Sequence, residues 1–199
     1  TRIVHPFLGS APVADVPVWE ALIDTALFPF LADHVVGGSV VFPAAGFIES
    51  ALAAARQCFG ETIYDIEDFQ ITRPLVLGDG TKVVRLQFDT EDGAFTIESR
   101  PRLSSDAWSR HVAGRLVKAE GAVPGQPTAV ASDAGLPVDI ARHYSDANVV
   151  GLDYGARFQT VAGLLINGRH AVANLAMPGE TDGDSGFILH PALLDGCFQ

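Results

Sequence analysis

Alternation of apolar and polar residues runs through much of the chain. Segments 18–24 and 84–88 carry an apolar side chain at every second position, so that one face of each segment is apolar. This period of two predicts β-strands with one face buried, and the turn sequences between such runs indicate an antiparallel sheet. The strands predicted in the first part of the chain are 18–24, 64–71, 84–88, the run around Phe95 and Ile97, and 108–118, with turns at Gly78-Asp79-Gly80 and Asp92-Gly93.

A helical period marks two other segments. Apolar residues between 44 and 58 recur at helical spacing in a wide stripe, which predicts a largely buried helix. Pro43 suits the first turn of that helix, where a missing N–H is no loss. His190-Pro191 opens a second apolar helix from Ala192 onward. One buried helix among several strands predicts an α+β arrangement.

The middle of the chain has a different character. Residues 119–137 are rich in proline and glycine and lack Lys, Arg and aromatic residues, which is typical of a linker. A short helix is predicted at 138–148, and strands at 159–166 and 171–176 form a hairpin that turns at Asn167-Gly168. An acidic, glycine-rich loop over 178–186 precedes the second apolar helix.

Composition and charge narrow the classes of function. The chain has 199 residues, of which 48% are hydrophobic and 19% charged, as in a globular protein. With 13 Lys and Arg against 24 Asp and Glu, the formal charge of −11 argues against a nucleic acid partner. No apolar run approaches the roughly 20 residues of a membrane span, and the first ten or so residues lack a secretory signal. We therefore expect no membrane partner. With only two cysteines, too few for a disulfide scaffold, we expect a reducing cytoplasmic compartment.

His34 is the first candidate for chemistry. It precedes a glycine turn that ends at Gly38, and the predicted helix begins nearby at Pro43 and Ala44. The first N–H groups of a helix are unpaired and carry partial positive charge, so they can hold an oxyanion while a nearby histidine accepts a proton. The spacing alone fits at least as well a turn histidine that merely bonds a carbonyl.

Asp195 and Gln199 form the second candidate. Four residues separate them, which places both on one face of the predicted helix among apolar neighbours. A carboxylate in apolar surroundings has a raised pKa and can act as a general acid, with Gln199 holding it in orientation. An exposed Asp-Gln pair on a surface helix explains the same spacing.

A tyrosine between glycines is the third candidate. Gly151, Tyr154 and Gly155 indicate a tight loop beside a ligand, although an ordinary turn between a helix and a strand explains them too. The remaining histidines show no ligand spacing, and Cys58 and Cys197 are the only cysteines, so we expect no metal site. No phosphate-binding loop or dinucleotide fingerprint is present.

Taken together, these segments resemble the dehydratase domain of modular polyketide synthases. That family shows the patterns His-x3-Gly-x4-Pro, Gly-Tyr-x-Tyr-Gly-Pro-x-Phe and Asp-x3-Gln/His, in this order, after an opening His-Pro-Leu-Leu-Gly. The matching residues are His34, Gly38 and Pro43, then Gly151, Tyr154, Gly155 and Phe158, then Asp195 and Gln199, with the opening motif at His5, Pro6, Phe7, Leu8 and Gly9. Leu152 and Ala156 depart from the second pattern, and Phe7 stands where the opening motif has leucine.

The resemblance implies a double hot-dog fold, in which two curved antiparallel sheets each wrap a central helix. The helices predicted from Ala44 and Ala192 fall where those central helices belong. We accordingly divide the chain into an N-terminal hot dog at 1–118, a linker at 119–137 and the start of a C-terminal hot dog at 138–199. About two strands are predicted for this last part, so we expect it to be truncated here and further strands to follow Gln199 in the natural polypeptide.

The resemblance also implies a reaction, the removal of water from a β-hydroxyacyl thioester in polyketide biosynthesis. His34 would remove the α-proton, and Asp195 would protonate the departing hydroxyl. Gln199, Tyr154 and Gly155 would orient Asp195 or that hydroxyl.

The remaining expectations concern the oxyanion and the partners. Backbone N–H groups near Pro43 and Ala44 would hold the thioester oxyanion, and Gly38 is the glycine of the histidine motif. No intrinsic cofactor is expected, because the substrate is carried on the phosphopantetheine arm of an acyl carrier protein. The expected partners are that carrier, neighbouring polyketide synthase domains and a second copy of the chain.

Three alternatives stay open at the level of sequence. A related cyclase or product-template domain would share the histidine and aspartate. A dehydratase that also closes an oxygen ring would share every residue named above. A catalytically silent domain that only organises a dimer is the third, although intact His34, Asp195 and Gln199 speak against it.

Overall fold

The computed structural model describes residues 3–10, 17–60, 64–78, 80–119, 135–179 and 185–199. Its α-helices are α1 (Ala44–Phe59), α2 (Ile140–Val149) and α3 (Pro191–Asp195), and short 3-10 helices lie at Pro29–Asp33 and Ala156–Phe158. Its strands are β1 (Ile3–His5), β2 (Gly9–Ser10), β3 (Val18–Ile23), β4 (His34–Val36), β5 (Ser39–Val40), β6 (Tyr64–Ile71), β7 (Lys82–Phe88), β8 (Ala94–Pro101), β9 (Ser109–Lys118), β10 (Leu136–Pro137), β11 (Leu152–Tyr154), β12 (Val161–Asn167) and β13 (His170–Leu175).

The main sheet is antiparallel, with its five strands in the order β3-β7-β8-β9-β6. In β3, β7 and β8 the alternating apolar residues are buried, as the period of two predicts, and α1 packs against the sheet. Phe47 and several alanines of α1 are buried, and the small alanine side chains let helix and sheet approach closely. The predictions of the helix and of strands 18–24, 64–71, 84–88 and 108–118 are confirmed to within two residues. Pro43 is the exception, because it is the N-cap of α1 and not part of its first turn.

A second, smaller sheet joins distant parts of the chain in the order β11-β4-β5. Its strands have only two or three residues each, and the sequence pattern did not predict them. The β4–β5 hairpin turns at Gly37 and Gly38, whose φ angles are +57° and +78°. Two successive positive φ angles define a type I′ turn, a conformation that glycine adopts at little cost.

The third sheet has the order β10-β12-β13 and contains the predicted hairpin. Asn167 pairs with His170, so the turn residues are Gly168 and Arg169, one position later than predicted. Most of the predicted linker lies outside the described residues, but its end forms β10, which pairs with β12. Helix α2 begins two residues later than predicted, after the side chain of Asp139 caps it.

Helix α3 packs against α1, so the two helices predicted to be central lie side by side. It has only five residues, because the chain after Asp195 continues as hydrogen-bonded turns. Among the helices of the described ranges, none is long and apolar enough to cross a membrane.

Candidate active site

His34 begins β4 and is nearly buried, with 9% of its side chain exposed. Its Nδ1 lies 2.7 Å from the carbonyl oxygen of Val41, which lies just past β5 on the other arm of the hairpin. A carbonyl can only accept, so Nδ1 carries the hydrogen and Nε2 is left with its lone pair. The ring centroids of Phe158 and Tyr154 lie 5.0 and 5.9 Å from the centroid of the His34 imidazole. The hairpin therefore presents Nε2 as a base inside an aromatic pocket.

Asp195 faces this nitrogen. Its Oδ1 lies 3.8 Å from His34 Nε2, and only 7% of its side chain is exposed. Burial raises the pKa of the Asp195 carboxyl above its ordinary value, because desolvation penalises the charged form. The nearby His34 and the hydrogen bond from Gln199 oppose this effect only in part. The Asp195 carboxyl therefore stays protonated up to a higher pH than an ordinary aspartate does.

Gln199 contacts Asp195 as the spacing predicts. Its Nε2 donates to Asp195 Oδ2 at 3.2 Å and to the carbonyl of Phe158 at 2.8 Å. The contact does not require a continuous helix, since α3 ends at Asp195 and a turn brings Gln199 back over it.

Tyr144 of α2 fixes the orientation of the Gln199 amide, and sequence reasoning missed it. Its hydroxyl accepts the backbone N–H of Val161 at 2.9 Å and donates to Gln199 Oε1 at 3.0 Å. Because Val161 N–H can only donate, the whole chain of hydrogen bonds runs in one direction, from Val161 through Tyr144 and Gln199 to Asp195. Asp195 Oδ2 is therefore an acceptor, and an acidic proton belongs on Oδ1, the oxygen that faces His34.

Tyr154 reaches the site through strand pairing. In the register of β11 with β4, Tyr154 lies directly opposite His34. Burial, together with the neighbouring Asp195 and Tyr144, raises the pKa of the Tyr154 hydroxyl to about 12. The phenol thus keeps its hydrogen at neutral pH and can donate to an oxygen atom bound beside Asp195.

Asp33 explains why a glycine follows Tyr154. The Asp33 carbonyl accepts the N–H of Gly155 at 2.7 Å, and its carboxylate accepts the N–H of Arg157 at 2.8 Å. A Cβ atom at Gly155 would lie 2.5 Å from Asp33 Cγ, which is too close for any side chain. Gly155 was predicted to help orient the reacting groups, and the structure gives it a structural role, because it allows the tyrosine loop to lie against the residue before His34.

The start of α1 is connected to the same hairpin. Val41, which holds His34, is followed within three residues by Ala44, the first residue of α1. Pro43 has no N–H and cannot donate to an oxyanion, so of the two positions predicted there only Ala44 can serve. The Pro43 carbonyl accepts the N–H of Gly46 at 2.9 Å, which closes the first turn.

A cavity of about 570 Å³ is lined in part by the two tyrosines. Its lining includes Tyr144, Asn148, Asp153, Tyr154 and Gln159. Both tyrosines lie close enough to Asp195 to feel its charge, so the cavity borders the site on the side of α2 and β11. In the part of the chain that the structure describes, no group of three or more His, Cys, Asp or Glu residues is placed to hold a metal ion.

Family models match both halves of the chain. The model of the polyketide synthase dehydratase domain matches residues 5–100, and that of the polyketide synthase dehydratase N-terminal domain matches residues 122–199. A highly reducing polyketide synthase of Pyrenophora dematioidea is 31% identical over 217 residues, which cover 98% of this chain. Polyketide synthase GfsA of Streptomyces halstedii is 33% identical over 208 residues, again 98% of the chain. The chain spans only 8% and 3% of the lengths of these two synthases.

Solved structures give the same result for the fold. The dehydratase domain from the CurJ module of curacin polyketide synthase superimposes with a TM-score of 0.86 at 25% identity, covering 99% of this chain and 70% of that one. The corresponding domain from the CurK module gives 0.83 at 26% identity, covering 98% and 73%. The double hot-dog fold expected from the sequence is thereby confirmed. Agreement between two family models, the curated relatives and these structures shows that the chain belongs to the dehydratase domains of polyketide synthases.

Proposed function

We propose that this chain removes water from a β-hydroxyacyl thioester and leaves an α,β-unsaturated acyl thioester. The observation that carries the proposal is the 3.8 Å separation of His34 Nε2 and Asp195 Oδ1 in a buried site. In a 1,2-elimination the proton and the hydroxyl leave from adjacent carbon atoms, so the base and the acid have to lie close together. A nearby base and acid of this kind suit such a reaction.

His34 acts as the base. Its Nε2 takes the α-proton, the C–H electron pair becomes the new Cα=Cβ bond, and the C–O bond to the β-hydroxyl breaks. Val41 keeps the hydrogen on Nδ1 and stabilises the imidazolium that forms. Because base and acid face the same space, the proton and the hydroxyl leave from the same face of the substrate.

Asp195 acts as the acid. It delivers the proton on Oδ1 to the departing hydroxyl, which leaves as water. The raised pKa of this carboxyl favours the protonated form that the step requires. Gln199 holds Oδ2, and the Tyr154 hydroxyl donates to the oxygen of the β-hydroxyl.

The α-proton of a thioester is far less acidic than an imidazolium, so the negative charge that develops on the thioester oxygen has to be stabilised. We assign this to the N–H of Ala44 at the start of α1. One such donor typically contributes roughly 3–4 kcal/mol to the transition state.

Similar enzymes support the choice of residues. A histidine-to-phenylalanine variant and an aspartate-to-asparagine variant of the CurK dehydratase are both described as inactive mutants. His34 and Asp195 are the same pair of residue types. By the same family relation, we propose that the substrate arrives on the phosphopantetheine arm of an acyl carrier protein, in a homodimeric synthase that needs no cofactor at this site.

The test is turnover of a small β-hydroxyacyl thioester, followed by mass spectrometry for the loss of water and by ultraviolet absorbance for the conjugated double bond. We expect His34→Ala and Asp195→Asn each to lose more than about 100-fold in kcat/KM, the low end of general acid–base contributions. His170→Ala and Asp106→Asn are matched controls, because both side chains are exposed and outside the site.

Full activity in either site variant would overturn the assigned roles. Loss of water without the conjugated double bond would indicate ring closure after dehydration. No turnover of any thioester would favour a silent structural domain.

A further inference from the structure

Glu49 is a buried charged residue that the proposed mechanism does not use. It lies on the core-facing side of α1 among apolar residues, and its side chain is 0% exposed. A carboxylate without partners is so costly in an apolar interior that buried ones persist only with several donors. In the sequence, Glu49 stands within the apolar helical stripe of residues 44–58, where helical periodicity alone gives no reason for a charged residue.

Three donors from outside α1 converge on this carboxylate. His5 Nε2 lies 2.9 Å from Oε1, the N–H of Ile188 donates to the same oxygen at 2.5 Å, and the N–H of Leu189 donates to Oε2 at 3.0 Å. The histidine bond has a fixed direction, because the N–H of Phe7 donates to His5 Nδ1 and leaves the hydrogen on Nε2. Glu49 thus ties the opening His-Pro motif and the segment at 188–189 to the central helix.

The segment at 188–189 leads directly into the helix of Asp195. His190 follows it, and its ring Nδ1 accepts the N–H of Ala192 at 3.2 Å, which caps the start of α3. Asp195 stands at the end of this five-residue helix. A displacement of the segment would therefore be passed on to Asp195 through a short, rigid element.

Glu49 is also connected to the start of α1, on the side of the site where the oxyanion is proposed to bind. It belongs to the helix that begins at Ala44, five residues earlier, or about 7.5 Å along the axis. Glu49 therefore links the helix start assigned to the oxyanion with the segment that carries the proposed acid.

We propose that Glu49, held by His5, is a positioning residue that sets the place of Asp195 relative to His34. This inference rests on the proposed dehydration. Without the carboxylate the two N–H groups lose their acceptor, and a misplacement on the order of 1 Å can cost roughly 100-fold in rate.

Glu49→Gln tests the inference, because it keeps the shape of the side chain but replaces one acceptor oxygen with an NH2 group. In the complete protein we expect kcat for a small β-hydroxyacyl thioester to fall roughly 10- to 100-fold while KM changes less than about threefold, since the acid moves and the substrate contacts remain. Ser50→Ala is the matched control. Its buried hydroxyl donates to Gly46 within α1, so the change removes a hydrogen bond of the same helix without touching 188–189.

Amide hydrogen exchange gives a second readout that does not depend on turnover. We expect Glu49→Gln to speed exchange across 188–195 by roughly tenfold or more, and Ser50→Ala to leave it unchanged. Inactive wild-type protein would count against the proposed function, and exchange would still decide whether Glu49 holds α3. An unchanged kcat in Glu49→Gln, an equal loss in Ser50→Ala, or faster exchange that stops before α3 would each overturn the inference.

His5 supplies a further pair of variants if Glu49→Gln does not fold. His5→Gln keeps a donor near the position of Nε2, whereas His5→Phe keeps the ring and removes the donor. We expect kcat of His5→Phe to fall at least about fivefold below that of His5→Gln. Equal kcat values in the two variants would overturn the role of this contact.

Discussion

The chemistry proposed for Asp195 conflicts with the stability of the fold. Its pKa is raised in the folded protein because burial penalises the charged form. A group whose pKa is higher in the folded state than in the unfolded state binds its proton more tightly when folded. Its contribution to the free energy of unfolding is complete at pH values below the unfolded pKa, and it is lost as the pH rises through the folded pKa. Near neutral pH the buried carboxylate should therefore destabilise the protein.

Asp195→Asn removes this ionisation, and we expect it to raise the free energy of unfolding near neutral pH. The gain should shrink as pH falls toward the ordinary aspartate value of 3.8. Thermal unfolding followed by circular dichroism over a pH series measures the effect, with the exposed Asp106→Asn as control. A variant that is no more stable than wild type at neutral pH would contradict it.

Tyr144 should matter through the direction of its hydrogen bonds. In Tyr144→Phe, Gln199 loses the donor that fixes its amide, and Val161 N–H loses its acceptor. We expect kcat to fall by about tenfold and stability by roughly 1–3 kcal/mol, the cost of an unpaired buried group.

Tyr64→Phe is the control for this variant. The Tyr64 hydroxyl is buried without a hydrogen-bond partner among the described residues, so its removal breaks no hydrogen bond and should lower neither kcat nor stability. Steady-state kinetics and urea unfolding measure both variants, and equal behaviour of the two would refute the role of Tyr144.

At the scale of elements, the hairpin turn at Gly37 and Gly38 holds the strand of His34. A Cβ at Gly38 meets nothing within 4 Å, but the φ of +78° strains any other residue. Gly168, in the β12–β13 hairpin, has a φ of +60° and equally open surroundings. The two glycines therefore have similar local strain, but only the hairpin of Gly38 contains a proposed catalytic residue, His34.

Gly38→Ala and Gly168→Ala should each cost about 1–2 kcal/mol, the price of a left-handed residue with a side chain. We expect only Gly38→Ala to lower kcat, because only its hairpin places His34 against Val41. Unfolding curves and turnover measured on both variants test this. Similar activity in the two would show that the hairpin tolerates the strain without moving His34.

Element length decided what the sequence pattern could predict. Strands of six or more residues can repeat the alternation of apolar and polar residues often enough to predict a strand, as β3 and β7 show. The two- and three-residue strands β4, β5 and β11 contain too few repeats, yet they bring Tyr154 opposite His34. The main sheet and α1 were therefore predictable from the pattern, and the small sheet that builds the site was not.

Sequence separation set a similar limit at the site itself. Asp195 and Gln199 are four residues apart, so helical spacing alone predicts their contact. Tyr144 lies 55 residues from Gln199 and 17 from Val161, and no local period connects them. The pairing of His34 with Asp195 came from the resemblance of motifs, because it depends on how the two halves of the chain pack.

For the molecule as a whole, net charge opposes the proposed encounter with a carrier protein. The chain has a net charge of −11, and acyl carrier proteins are generally acidic, so bulk attraction cannot bring them together. We propose docking through a local basic patch drawn from the arginines of the first half. The candidates are Arg73, Arg100, Arg102, Arg110 and Arg115.

We expect KM for a carrier-bound substrate to change less than about threefold between low and high salt, because screening weakens the general repulsion and the local attraction together. Kinetics over a salt series, with the same acyl group on free pantetheine as control, provide the measurement. A KM that rises steeply with salt for the carrier-bound substrate alone would point to a strong basic site elsewhere.

The hydrogen-bond chain behind Asp195 ends at the backbone amide of Val161, so no proton can leave by that route. In the proposed mechanism one dehydration leaves His34 with the proton taken from carbon and Asp195 without the proton given to the hydroxyl. The two groups face each other across 3.8 Å, a gap longer than a hydrogen bond, so once the product departs the proton can pass from one to the other through a single water molecule. The site would then reset itself without exchange with bulk solvent, and part of the deuterium taken from one substrate molecule would leave in the water formed from the next.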